Sequence, residues 1–281
     1  MVKTEIIMKK SLVFVFLLAA LAGCKTGMVW EKIPIDGHRT GVTAPTADNI
    51  PEALGVVDAA TGAYTAPNGT VFADGATPKV AALLIDAQPQ MAEVKEVIAF
   101  STRLMTAEAP ESELSNFVVD FLRSEAEKLF KRKIDVGIVN FGGIRVDMPE
   151  GDVLLDDIRS MFPFNNKICM VELPGAELLR LMDDVAQYGP QCLSGVKMVI
   201  SDRKVESLEV GGKPVDPKKK YTVATVDFLL DGGDNISVAR GATKLVISEV
   251  IIGKAIEQYI RQLTADGKAI EYQTDGRVVV K

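Results

Sequence analysis

Ile134-Asp135-Val136-Gly137-Ile138-Val139-Asn140-Phe141-Gly142-Gly143-Ile144-Arg145 passes from an apolar run into a glycine-rich polar loop. The first six residues suit a short buried strand, and Gly142-Gly143 then favours a turn. Upstream, Ser112 to Phe130 places Leu114, Phe117, Val118, Phe121, Leu122, Leu129 and Phe130 mostly on one face of a helix. Helical spacing also runs from Val80 to Phe100. Downstream, Leu155 to Met161 reads as a short helix and Lys167 to Leu173 as a strand. Pro174 suits the start of a helix through Val185. Val196 to Ser201, Val205 to Val210, Tyr221 to Phe228 and Val278 to Val280 read as strands. Gly211-Gly212-Lys213-Pro214 makes a turn between the second and third, and Ser248 to Leu263 gives a last helix. Strands and helices alternate irregularly, which predicts an α+β (mixed α/β) domain with a mixed sheet flanked by helices.

The 281 residues carry 32 Lys and Arg against 38 Asp and Glu, a formal net charge of −6. That balance argues against a nucleic-acid-binding surface but leaves room for a small anion site. Residues 1–24 read as a leader. Lys9 and Lys10 precede an apolar run, Ser11 to Ala22, too short to span a membrane comfortably. The run ends in Leu21-Ala22-Gly23-Cys24, which resembles a bacterial lipobox, with Cys24 as the lipidated residue. Met8 fits the true start. An acyl anchor at Cys24, followed by Lys25, implies the bacterial cell envelope and the outer membrane. Residues 25–75, rich in Gly, Pro, Thr, Asp and Ala, read as an irregular extension or tether. Short strands are expected near Trp30 to Pro34 and Ala63 to Phe72, with a turn at Asn68-Gly69. Residues 76–281 are expected to form one domain. Cys169 and Cys192 suit either a disulfide or two buried thiols.

Hydrolysis of a phosphate ester at a two-metal site needs several His, Asp and Asn ligands. The sequence has one histidine, His38, in the extension, where Asp36-Gly37-His38 reads as a polar turn. No His-x-x-Glu-His, Gly-x-Ser-x-Gly or Gly-x-x-x-x-Gly-Lys-Ser/Thr motif occurs. The expectation is therefore no catalytic set and no metal or other cofactor bound by these residues.

The chemistry-bearing residues lie where apolar runs stop. Gly142 and Gly143 allow close backbone approach, Arg145 offers a forked donor for phosphate or carboxylate, and Asn140 suits a nucleobase edge. Read as a bare pattern, the same residues also fit a turn with a solvated arginine. Phe162-Pro163-Phe164-Asn165-Asn166 either stacks a base or sends its rings into the core. Asp227-Phe228-Leu229-Leu230-Asp231-Gly232-Gly233-Asp234 either adds an aromatic face and a ribose acceptor at Asp234 or forms a plain acidic turn.

These three segments, in this order and spacing, resemble the C-terminal domain of 5'-nucleotidases. The likeness covers roughly residues 75–281. Glu113-Leu114-Ser115-Asn116-Phe117-Val118-Val119-Asp120, Leu173-Pro174-Gly175-Ala176-Glu177-Leu178, Leu193-Ser194-Gly195-Val196 and Lys220-Tyr221-Thr222-Val223-Ala224-Thr225 add to it. The resemblance implies a purine between Phe164 and Phe228, with Asn140 at the base edge, Asp234 at the ribose and Arg145 near the phosphate. Gly143, Asn166 and Gly195 would be further contacts.

Departures accompany it. Asn165 stands where Gly is usual, and Phe141 where small residues are common. Thr106 to Ser112 lacks the arginines that relatives carry there, so Arg103 is the nearest candidate. The metallophosphoesterase domain that holds both metals in the family has no counterpart in residues 25–75. The resemblance therefore implies the nucleotide-binding part of a split 5'-nucleotidase. A separate metallophosphoesterase chain would carry the divalent metals. The alternative is a surface lipoprotein that binds nucleosides or nucleotides without catalysis.

Overall fold

A computed structural model describes residues 40–46 and 48–281. The expected leader, Cys24, His38 and the strand expected near Trp30 lie outside the described residues. The chain divides into two compact units at residues 87 and 88.

In the first unit, a short helix α1 (Ile50–Leu54) precedes strands β1 (Val56–Val57), β2 (Tyr64–Thr65) and β3 (Val71–Phe72), which pair antiparallel in that order. The expected turn forms: Gly69 has φ 82°, its N–H donates to Ala66 O, and Thr70 N–H donates to Asn68 Oδ1. Helix α2 (Ala76–Ala87) packs on this hairpin, with Pro78 buried. It therefore belongs to the first unit, and the boundary lies twelve residues after the expected one.

The helical pattern from Val80 does not continue to Phe100. After α2 and a 3-10 turn, residues Val97–Ser101 form strand β4. Its partner is β6 (Gly151–Leu154), and the cross-strand ladder overrides the local helical spacing. Helix α3 (Glu113–Phe130) follows. Ser112 caps it: its Oγ accepts from Ser115 N–H while Ser115 Oγ accepts from Ser112 N–H. Lys131, left-handed at φ 50°, ends it. The expected apolar face is the buried one.

Strands β5 (Val136–Val139), β7 (Lys167–Pro174), β8 (Cys192–Ser194), β12 (Lys220–Val226) and β13 (Lys244–Ile251) build a five-stranded mixed sheet in the order β13-β7-β12-β5-β8. Only the β12–β5 pair is parallel. The buried runs in β5, β7 and β12 do not alternate, so both faces are covered. Helix α3 packs on β5, β7, β8 and β12, and α5 (Gly175–Tyr188) on β7 and β12. Gly137 lets α3 close on the sheet, since a Cβ there would lie 3.1 Å from Val119 O and 3.2 Å from Arg123 Cβ. A second sheet orders β11 (Lys213–Pro214), β10 (Lys204–Val210), β9 (Val196–Ser201) and β14 (Val278–Val280). Helix α4 (Leu155–Met161) matches its expected bounds. The last helix does not: residues 244–251 pair with β7, so α6 begins only at Ile252 and runs to Ala265. Among the described residues no helix is long and apolar enough to cross a membrane.

The cysteine question closes on topology. Cys169 is on β7 and Cys192 on β8, both free and buried. Three strand spacings separate them, about 14 Å, against the roughly 4–7 Å a disulfide spans between Cα atoms. Burial pushes the Cys169 thiol up to about 12, helped by the charge of Asp227, and raises Cys192 as well.

Candidate functional site

The strand order brings three loops to one end of the five-stranded sheet. Strands β5 and β12 are parallel, so the chain leaves both at the same end, at Asn140 and Asp227. Strand β7 runs antiparallel to β12, with Val226 opposite Ile168, so the loop entering β7 lies at that end too. A small cleft there is lined by Val139, Asn140, Gly143, Phe162, Phe164, Asn166, Val226 and Ile252.

Asn140 forms the polar floor. It is only 4% exposed, and its Oδ1 is buried with no hydrogen-bond partner. An unpaired buried acceptor of this kind costs about 1–3 kcal/mol. Gly143 lets the turn approach this amide closely, since a Cβ would stand 2.9 Å from that oxygen and push the Asn140 side chain aside. Gly142 opens the same turn toward the third loop, since a Cβ on it would lie 4.0 Å from Asp234 Oδ2. Arg145 is exposed, its Nη1 donates to Gly142 O at 3.2 Å, and it makes no ion pair among the described residues. Its guanidinium therefore has donors left for an anion.

Both rings stand outside the core. Phe164 is 48% exposed and Phe228 47%. The expected strand through Phe228 stops at Val226, and Phe228 sits in a 3-10 turn, Asp227–Leu229. The loop then folds back on the ring: a Cβ on Gly233 would meet Phe228 O at 2.2 Å and Cε1 at 2.9 Å. Asp234 follows in the left-handed region at φ 50°, exposed, with its carboxylate toward Gly142.

Seven of the eight expected site residues thus gather at this end. Gly195 does not. Strand β8 runs antiparallel to β5, with Val139 opposite Cys192 and Gly137 opposite Ser194. Gly195 therefore abuts Asp135, at the far end of β5, about five residues or 16 Å from Asn140. It lines a separate groove with Asp120, Arg123 and Arg277. Arg103, the arginine nearest to the stretch that lacks them, pairs with Glu271 at 3.2 Å. Phe162 and Ile252 line the cleft without having been expected there. Phe162 was a visible aromatic of unassigned direction, whereas Ile252 reaches the cleft only through the β13–β7 pairing. Among the described residues no three His, Cys, Asp or Glu side chains gather at metal-binding distance, so this end does not fit a hydrolytic metal pair.

Residues 90–241 match the family profile described as 5'-nucleotidase, C-terminal domain. Protein UshA of Escherichia coli (strain K12) is 28% identical over 142 residues, 49% of this chain and 26% of that protein. A 5'-nucleotidase of Vibrio cholerae is 28% identical over 109 residues, 37% of this chain and 20% of that protein. The chain thus matches about a quarter or less of the length of these curated relatives. The crystal structure of a 5'-nucleotidase precursor from Thermus thermophilus aligns with a TM-score of 0.63 at 25% identity, covering 72% of this chain and 43% of that one. A Haemophilus influenzae NAD nucleotidase shares the fold, with a TM-score of 0.55 at 15% identity over 78% of this chain and 48% of that one. The profile spans more than half of the sequence and ends within the third site loop, and on that ground the chain belongs to the 5'-nucleotidase C-terminal domain family.

Proposed function

We propose that this chain binds a purine nucleoside 5'-phosphate and presents it to a separate metallophosphoesterase chain, the two together forming a split 5'-nucleotidase. The carrying observation is the pair of half-exposed rings, Phe164 and Phe228, at one sheet end beside the unpartnered amide oxygen of Asn140. A base between the rings removes apolar surface from water, and a donor on its edge satisfies the Asn140 oxygen. Arg145 takes the phosphate, Asp234 accepts from the ribose hydroxyls, and Gly143 and Asn166 border the base. Gly195 has no part in this reading. The divalent metals belong to the phosphoesterase.

Calorimetry with AMP and adenosine tests the binding half. Wild type is expected to bind in the micromolar range. Phe164→Ala and Phe228→Ala should each cost about 1–3 kcal/mol, roughly 5- to 150-fold in Kd, and the double variant should show no heat. A wild type that binds neither ligand refutes the proposal. The proposal also places an acyl anchor on Cys24 and the chain at the outer membrane. Cys24→Ser should then move the protein from the membrane to the soluble fraction, and an unchanged distribution would discard the anchor.

A further inference from the structure

We infer that Asp227 is a positioning residue: its carboxylate ties the two aromatic loops to one point and so sets the gap between Phe164 and Phe228. The inference rests on the nucleotide reading for its consequence, but the tie itself is a property of the free protein.

The backbone ladder between β7 and β12 ends at the Val226–Ile168 pair. One further antiparallel rung would set Asp227 opposite Lys167. Instead the chain turns into the Asp227–Leu229 3-10 turn, and a side-chain oxygen replaces the missing rung. Asp227 Oδ1 accepts from Lys167 N–H at 3.1 Å and from Phe228 N–H at 2.9 Å. One oxygen thus holds the residue that closes the first aromatic loop and the residue that carries the second ring.

The reach from this point is short. Phe164 lies three residues before Lys167, at most about 10 Å of chain. Asn166 is held in between, its carbonyl accepting from Ile252 N–H at 3.0 Å. On the other side Leu230 N–H donates to Asp227 O at 3.1 Å, which fixes the turn presenting Phe228. Both rings project from anchors that meet at Asp227, while neither ring packs in the core. Without the carboxylate, the two loops lose the bond that joins them. A flat base held between two rings tolerates little change in their separation, and positional errors near 1 Å cost binding groups their effect.

The test uses the full chain with AMP as the probe and reads two quantities: affinity by calorimetry, and amide exchange at Lys167 and Phe228 by NMR. Asp227→Ala is expected to weaken AMP binding about ten- to a hundredfold and to speed exchange at both amides. Asp227→Asn keeps an acceptor oxygen and should restore affinity to within about threefold, with both amides protected. Asp227→Ser keeps a short oxygen for its own turn but not one that reaches Lys167. It serves where the alanine variant does not fold, and it should speed exchange at Lys167 alone while weakening AMP binding. Wild-type affinity in the alanine or serine variant overturns the inference. So does weak binding in Asp227→Asn with both amides still protected, since the charge would then act on the ligand directly. No AMP binding by wild type refutes the nucleotide reading instead. The exchange arm still decides the tie in that case: protected amides in the alanine and serine variants overturn it, and fast exchange with rescue by asparagine supports it.

Discussion

At the residue scale, Glu172 shows how much a single acid can hold. It is nearly buried on β7, opposite Thr222 of β12 and Lys244 of β13. Its carboxylate accepts from Lys220 Nζ at 2.8 Å, Thr243 Oγ1 at 2.8 Å and Arg132 Nη2 at 2.7 Å. The Lys220 bond, then those of Thr243 and Arg132, hold its pKa down at about 2 against an ordinary 4.5. The folded-state value is depressed, so the stabilisation is fully present above the unfolded value and is lost as pH falls from about 4.5 toward 2. Melting temperatures measured from pH 7 to pH 2 should therefore fall more steeply for wild type than for Glu172→Gln across that window. Parallel curves would show that the carboxylate adds no pH-dependent stability. Nothing in the run Lys167 to Leu173 announced this role, because all three donors come from other segments.

At the scale of elements, Gly195 is the instructive position. The chain leaves the five-stranded sheet after Ser194 and enters the second sheet at Val196, with Gly195 alone between them at φ 76°. Its carbonyl accepts from Gly211 N–H at 3.0 Å, and a Cβ would stand 2.1 Å from Asp135 O. Gly195→Ala therefore sets a side chain against backbone in a left-handed conformation, at a cost of at least about 1–3 kcal/mol. Thermal denaturation should show the loss, while the folded protein keeps wild-type AMP affinity. Weakened binding without lost stability would return Gly195 to the site. The element boundaries that the sequence misplaced have the same origin. Val97 to Phe100 and Ser248 to Ile251 carry enough helical spacing to be misread, and each lies in a strand because a partner strand waits beside it.

At the scale of the whole molecule, no group of three or more His, Cys, Asp or Glu side chains placed to hold a metal ion occurs among the described residues. The proposal thus assigns the reaction to a pair of chains. Adding this protein to a candidate metallophosphoesterase should raise phosphate release from AMP above that of the phosphoesterase alone, and Phe228→Ala should remove the gain. No gain with wild type would break the link to hydrolysis. Tight nucleotide binding that a phosphoesterase leaves unchanged would favour the alternative, a lipoprotein that captures nucleosides or nucleotides.

What the sequence determined by itself was local: the amphipathic face of α3 and its Ser112 start, the buried runs of β5, β7 and β12, and the composition of three loops that follow or precede those runs. Periodicity and turn chemistry act over about ten residues, so they were legible. Which loops meet was decided only by tertiary structure. One parallel and one antiparallel pairing around β12 brought Asn140, Phe164 and Phe228 to one end, and an antiparallel β8 carried Gly195 to the other. Strand order depends on burying surface between segments far apart in the chain, and no spacing within a segment encodes it.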